Sequence, residues 1–178
     1  KLNILAPAGN YEKLVAAVKA GANEVFFGLK GFSARRNNEN LDMKEGFSAI
    51  DYAHLHGVKA IMAFNTILKD SEIKSMYNNI KRVYEYGVDA VIVQDLGLVK
   101  FLKENFPNLK LHASTQMTVA NHIEANRLKE MGLGRVCLAR ELSFEEIKEI
   151  RKNTDIELEI FVSGSLCISY SGNCYISS

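Results

Sequence analysis

The sequence predicts an α/β fold, a (β/α)8 barrel of the TIM type that stops after its seventh strand, and three observations carry that expectation. Four stretches repeat one another, KAGANEVFFG, LHGVKAIMAFN, EYGVDAVIVQD and EMGLGRVCLAR, each a glycine, a short turn and a β-rich apolar run. The segments before those glycines place apolar residues three and four apart, which is the helical period. The strands are apolar on both alternations, as strands covered on two faces are. Alternating strands and helices with short loops make a parallel sheet, either open and doubly wound or closed as a barrel. No Gly-x-Gly-x-x-Gly follows the first strand, where APAGN stands instead. A barrel of this type takes eight strands and typically about 250 residues. Seven strands in 178 residues therefore match a barrel short of its last helix and strand.

In order, strands are expected at 2–6, 24–28, 58–64, 89–94, 109–113, 135–139 and 157–162, with a helix after each of the first six. Asn10 can cap the first helix, which Leu14, Val15 and Val18 stripe and Gly21 ends. Asp42 and Glu45 have capping-box spacing at the start of the second, which Gly57 ends. Ile73, Met76, Tyr77, Ile80, Val83 and Tyr84 stripe the third as far as Gly87. Leu98, Val99, Leu102 and Phe106 stripe the fourth, which Pro107 stops. The fifth runs into Gly132, and Ser143 with Glu146 opens the sixth.

Bulk properties narrow the function classes. Twenty-two Lys+Arg against 21 Asp+Glu give a net charge of +1, so there is no global electrostatic case for nucleic acid, though a local basic face stays open. No stretch approaches the ~20 apolar residues of a membrane helix, and no signal segment opens the chain, so no membrane partner is expected. Three cysteines, an odd and low count, fit a reducing cytoplasm. With 47% hydrophobic residues, 1–178 is expected to form one barrel domain with a sizeable core. A start without Met and a stop at YISS lead us to expect the N-terminal part of a longer protein.

In such a barrel the active site is built at the C-terminal ends of the strands. Those ends read APAGN, FGLKGFSARR, FNT, QD, STQ, ARE and FVSGSLC. Arg140, Glu159, Asn65 and Gln116 are the candidate catalytic groups, and Arg35, Gln94, Ser114 and Thr115 the candidate substrate-binding groups. Any single one of them could be polar only because loops are, and Ser143 is explained as a helix cap. An Arg directly after VCLA is awkward unless it faces a polar cavity or a carboxylate. Glu159, between Leu158 and Ile160, is a second such case, unless it sits on the helix-facing side paired with a Lys. His54 lies on the apolar stripe of its helix with Phe47 and Ile50, a core or boundary position. His56 and His122 read as surface residues, and His112 could face the barrel. There is no His-Glu-x-x-His and no Gly-x-Ser-x-Gly. Cys137 reads as a small buried hydrophobe. Cys167 and Cys174 could form a disulfide, half a metal site or a nucleophile, or be small core residues.

The last twenty residues, EIFVSGSLCISYSGNCYISS, say more. They hold Glu159-x-Phe161-x-x-Gly164-Ser165-Leu166-Cys167, four residues, then Gly172-x-Cys174-x-Ile176-Ser177. This pattern over 159–177 resembles the signature of peptidase family U32, the collagenase-like peptidases. LAPAGNYEKLVAAVKAGANEVFFG, FNT, HASTQMTVAN and RVCLARELSFEEIKEIR are similar to the family's successive strand ends, so the resemblance covers essentially the whole chain. Ser163 stands where many members carry His, a departure that bears on any role needing an imidazole.

The resemblance implies a cytoplasmic bacterial or archaeal protein with a barrel catalytic domain. It implies a [4Fe–4S] cluster on four cysteines, the first two corresponding to Cys167 and Cys174 and the other two lying beyond this chain. Residues 1–178 alone are accordingly expected to hold no intact cluster and to be inactive. It implies O₂-independent hydroxylation of a tRNA uridine, an rRNA cytidine or the ring of a quinone precursor, with prephenate as co-substrate. The partner is then tRNA or another RNA, and Arg140 and Arg35 would meet the carboxylates of prephenate, which suit a guanidinium fork. The alternative is a collagenase-like peptidase acting on protein. Iron–sulfur iron takes thiolates, often in short spaced sets. A cysteine protease instead needs a base beside its thiol, where this motif offers Ser163, although His112 could be recruited. A cytosolic setting disfavours a disulfide between the two cysteines. Unpaired edges of the first and seventh strands would invite self-association through the open barrel edge.

Overall fold

Side-chain caps open the helices where their spacing foretells. The computed structural model describes residues 2–31, 40–164 and 168–173; Arg35, Cys167 and Cys174 lie outside the described residues. Asn10 Oδ1 accepts from the Lys13 backbone N–H at 2.9 Å and starts α1 (Tyr11–Lys19). Asp42 and Glu45 exchange side-chain to backbone bonds of 2.8 Å each at the head of α2 (Met43–Leu55). Ser143 and Glu146 do the same for α6 (Phe144–Lys152). Between them lie α3 (Asp70–Tyr86), α4 (Leu96–Asn105) and α5 (His122–Glu130). Gly21, Gly57, Gly87 and Gly132 all take positive φ, between 70° and 102°, where each chain return leaves its helix.

The strands are β1 (Leu5–Pro7), β2 (Glu24–Gly28), β3 (Lys59–Phe64), β4 (Ala90–Val93), β5 (Leu111–Ala113), β6 (Arg135–Cys137) and β7 (Glu157–Glu159). They follow the sequential order β1 to β7, and the pairings within residues 1–95 and within 96–178 are all parallel. That is the strand order of a TIM-type barrel; a doubly wound sheet would reverse at a switch point. Several strands are shorter than expected. The seventh ends at Glu159 because residues 160–162 have no ladder partner among the described residues, and Val162 is exposed. Among the described residues no helix is long and apolar enough to cross a membrane.

The chain divides into two compact units, residues 1–95 and 96–178. In the first, Val25, Phe27, Ala60, Met62 and Val91 alternate onto one buried face of β2, β3 and β4. Gly46 lets α2 approach this face, since a Cβ there would stand 3.0 Å from Leu29 Cδ2 and 3.6 Å from Met62 Cε. The opposite face carries Phe26, Ile61, Ala63 and Ile92, with the Glu24–Lys59 pair at its start. His54 is a boundary residue and not a core one: its Nε2 lies 2.7 Å from Asp89 Oδ2, and the ring is exposed.

In the second unit the alternation is chemically sharper. Leu111, Ala113, Val136 and Leu158 share one face of β5, β6 and β7. His112, Arg135, Cys137, Glu157 and Glu159 share the other, and Ser114 continues it past the end of β5.

Candidate functional site

In the first unit, Asn65 and Gln94 directly follow β3 and β4 and are half-buried. Period-two alternation puts them in phase with Ala63 and Ile92, on the face turned from α2. Asp95 is used structurally, its Oδ2 accepting from the Leu68 N–H at 3.1 Å. Beside that loop lies a cavity of about 190 Å³ lined by Gly31, Thr66, Leu68, Ser71, Glu72, Ser75 and Met76. Its hydroxyls come from the first turns of α3 and from Thr66, two residues past the end of β3.

In the second unit, Arg135 of β6 is buried and reaches two carboxylates of β7, Glu157 at 2.9 Å and Glu159 at 3.5 Å. Glu159 therefore pairs with an arginine of the adjacent strand. Cys137 stands opposite Glu159 in the ladder. Burial, then the neighbouring Glu159 carboxylate, pushes its thiol far above the usual cysteine range, with Thr115 and Arg135 pulling weakly the other way. Burial and the facing carboxylate thus hold Cys137 towards its protonated form.

The loop after β5 is organised by its own hydroxyls. Ser114 Oγ accepts from the Gln116 N–H at 3.3 Å and caps a 3-10 turn at Thr115–Met117. Thr115 Oγ1 donates to the Leu138 carbonyl at 3.3 Å, tying the turn to the chain leaving β6. Thr118 follows at φ 62°, a left-handed conformation that costs a β-branched residue about 1–2 kcal/mol.

Residues 168–173, which join Cys167 to Cys174 in sequence, are anchored at three points. Arg140 Nη2 donates to the Ser169 carbonyl at 2.9 Å. Glu141 Oε1 accepts from the Ser171 N–H at 2.6 Å, and Oε2 accepts from Ser171 Oγ at 2.7 Å. Asn173 Nδ2 donates to Thr118 Oγ1 at 3.0 Å and to the Gln116 carbonyl at 3.3 Å. Ser171 is fully buried and held at φ 48°. Burial raises the Glu141 pKa, but the two Ser171 donors and Arg140 outweigh it and hold the carboxyl below its ordinary value.

The sequence-predicted residues thus take different parts. Ser114, Thr115, Gln116 and Arg140 belong to this anchored network, whereas Glu159 is engaged by Arg135. Arg140 and Glu159 hold different partners, Arg140 the Ser169 carbonyl and Glu159 the Arg135 guanidinium. Arg135, Thr118, Ser171 and Asn173 escaped the sequence reading, and Glu141 was read only as part of the ARE strand end. A charged residue in the middle of GRVCLA was the one available signal, for Arg135. Among the described residues no group of three or more His, Cys, Asp or Glu is placed to hold a metal ion.

Comparison with known proteins adds identity to this geometry. The chain is 41% identical over 181 residues to tRNA hydroxylation protein P of Haemophilus influenzae, covering 99% of this chain and 39% of that protein. It is 38% identical over 177 residues to the 23S rRNA 5-hydroxycytidine C2501 synthase of Escherichia coli strain K12, covering 99% of this chain and 26% of that one. It is also 32% identical over 186 residues to a protein named collagenase from Porphyromonas gingivalis, covering 98% of this chain and 44% of that one. The chain thus spans between about a quarter and just under half the length of these curated relatives. The solved structure of the U32 peptidase Mk0906 superimposes with a TM-score of 0.75 at 18% identity, over 90% of this chain and 68% of that one. Residues 9–178 match the sequence profile of peptidase family U32, and on that match and these relatives the chain belongs to this family.

Proposed function

We propose that this chain is part of an iron–sulfur-dependent, O₂-independent hydroxylase of an RNA base, a tRNA uridine being the leading substrate and prephenate the co-substrate. The observation that carries the reading is the three-point anchoring of residues 168–173, the segment that separates Cys167 from Cys174. Thiolates suit a [4Fe–4S] centre, and two of its four ligands would be these cysteines, with two more further along the full-length chain. When bound, the cluster would supply the redox and Lewis-acid chemistry of oxygen transfer. The relatives named for tRNA hydroxylation and for rRNA 5-hydroxycytidine synthesis support RNA as the partner.

The roles left to this chain's own residues follow from their places. Asn65 and Gln94 offer amide donors and acceptors at the ends of β3 and β4, suited to the edge of a planar base. Ser114, Thr115 and Gln116 shape the loop after β5. Arg140 and Glu141 hold the segment between the cysteines. Arg35 remains a proposed carboxylate partner. An RNA-modifying role accords with a cytoplasmic protein.

The relative named collagenase favours a second reading, a peptidase. Cys137 does not serve it as a nucleophile, because a buried thiol with a strongly raised pKa has little thiolate at neutral pH. Anaerobic expression of the full-length protein separates the two readings. The hydroxylase reading expects about four iron and four acid-labile sulfide per chain, visible absorption, and a hydroxylated nucleoside in RNA from complemented cells. Peptide cleavage by protein that takes up no iron on anaerobic reconstitution would overturn it.

A further inference from the structure

We infer that Glu141 is a positioning residue that sets the backbone between Cys167 and Cys174, and so the way the two thiolates are presented. This rests on the iron–sulfur reading above for its consequence, but not for its geometry.

Four observations converge on it. Glu141 Oε1 and Oε2 each take one hydrogen from Ser171, 2.6 Å from its N and 2.7 Å from its Oγ, so both carboxylate oxygens are spent on one residue thirty positions away. Ser171 is fully buried although it is a serine in a polar stretch. It is one of only two non-glycine residues at positive φ among the described residues, and the other is Thr118. Thr118 accepts from Asn173, two residues beyond Ser171. Both strained backbones of the described chain therefore belong to one network, which ties the segment to the loops after β5 and β6. Strain of this kind persists only where the surroundings over-determine it.

The choice of residue at 171 fits the same purpose. A glycine would take φ 48° without strain, yet the position carries the hydroxyl that Glu141 Oε2 accepts from. Charge-assisted bonds are stronger than neutral ones, and a carboxylate that accepts two of them defines a direction as well as a distance. Arg140, 4.0 Å from Glu141 Oε1, fixes the neighbouring Ser169 carbonyl and limits swivelling about the Glu141 contact. Three side chains thus hold alternate residues 169, 171 and 173 of a six-residue spacer, leaving it little freedom.

The test uses the full-length protein with Glu141→Ala, Glu141→Gln and Ser171→Ala. Amide hydrogen exchange of the metal-free protein reads the anchor without any cluster. Loss of a charge-assisted bond should speed exchange at Ser171 about tenfold or more in Glu141→Ala. Glu141→Gln, which keeps an acceptor for the N–H, should fall between it and wild type. Iron released to a chelator after anaerobic reconstitution then reads presentation of the thiolates, and Glu141→Ala should lose iron severalfold faster than wild type. Unchanged exchange at Ser171 would overturn the anchor. Faster exchange with unchanged iron release would overturn the positioning role. Should Glu141→Ala fail to fold, the near-isosteric Glu141→Gln gives the same two readings at smaller amplitude, and Ser171→Ala reads the share of the hydroxyl bond alone. A wild-type protein that takes up no iron defeats the hydroxylase reading and with it the stated consequence, while the exchange result still decides the anchor.

Discussion

Arg135 Nη2 donates to Glu157 Oε1 at 2.9 Å across β6 and β7, from a side chain only 6% exposed to one that is 52% exposed. The pair is therefore lopsided: water screens the acid and not the base. The second acid, Glu159 at 3.5 Å and 23% exposed, is the more shielded of the two partners of Arg135.

Arg135→Ala should destabilise the protein by about 2–3 kcal/mol, below the full cost of breaking a buried pair because Glu157 stays hydrated. The urea midpoint at neutral pH measures it. Combining Arg135→Met with Glu159→Gln should recover part of the loss, since no buried charge is then left alone. A double variant weaker than the single would contradict this account.

Cys137 gives an alkaline signature. Its folded pKa lies above the unfolded value, so its contribution to stability is complete below about pH 8.5 and is lost as pH rises beyond. The native protein should leave Cys137 unlabelled by iodoacetamide at pH 8 until it is unfolded, as peptide mass mapping would show. Cys137→Ala should flatten the stability loss between roughly pH 8.5 and 10.

Gly46→Ala sets helix propensity against packing. Alanine gains about 1 kcal/mol in a helix. The new methyl, 3.0 Å from the buried Leu29 Cδ2, costs about 1–3 kcal/mol in overpacking. Packing should win, and thermal melting should show a lower midpoint despite the better helix former.

Asn65→Ala and Gln94→Ala in the full-length protein should each lower nucleoside hydroxylation about tenfold, the worth of one hydrogen bond to substrate. Melting temperature and iron content should change little, because both residues lie just past the ends of their strands and are only half-buried. Quantifying the modified nucleoside by mass spectrometry checks it, and parallel loss of iron would reassign the residue to structure.

How far the sequence could be read depended on the range of the interaction. The Asn10, Asp42 and Ser143 caps were legible because donor and acceptor lie three residues apart. The four left-handed glycines after helices were legible because each directly follows an apolar stripe of helical period. Strand limits were not, since Ile160 to Val162 are β-rich yet lack a ladder partner among the described residues, and pairing is a property of the neighbour. The Arg135–Glu159 contact needed the register of β6 on β7, which no local pattern encodes. Ser171 was hidden more deeply. Gly172 beside it is the residue that advertises positive φ, while the serine takes it because a glutamate thirty residues earlier holds both its polar hydrogens.

The helix-ending glycines share a conformation but not an evolutionary constraint. At Gly21, Gly57 and Gly87 nothing lies within 4 Å of where a Cβ would stand. Asparagine tolerates left-handed backbone, so these three turns can drift to it at a cost of about 1 kcal/mol each. At Gly132 a Cβ would stand 2.9 Å from Lys103 Cε. Lys103 cannot easily step aside, since its Nζ donates to the carbonyls of Pro107 at 3.1 Å and Leu109 at 3.4 Å. Descendants of this chain should keep Gly132 for as long as they keep Lys103, and lose the two together.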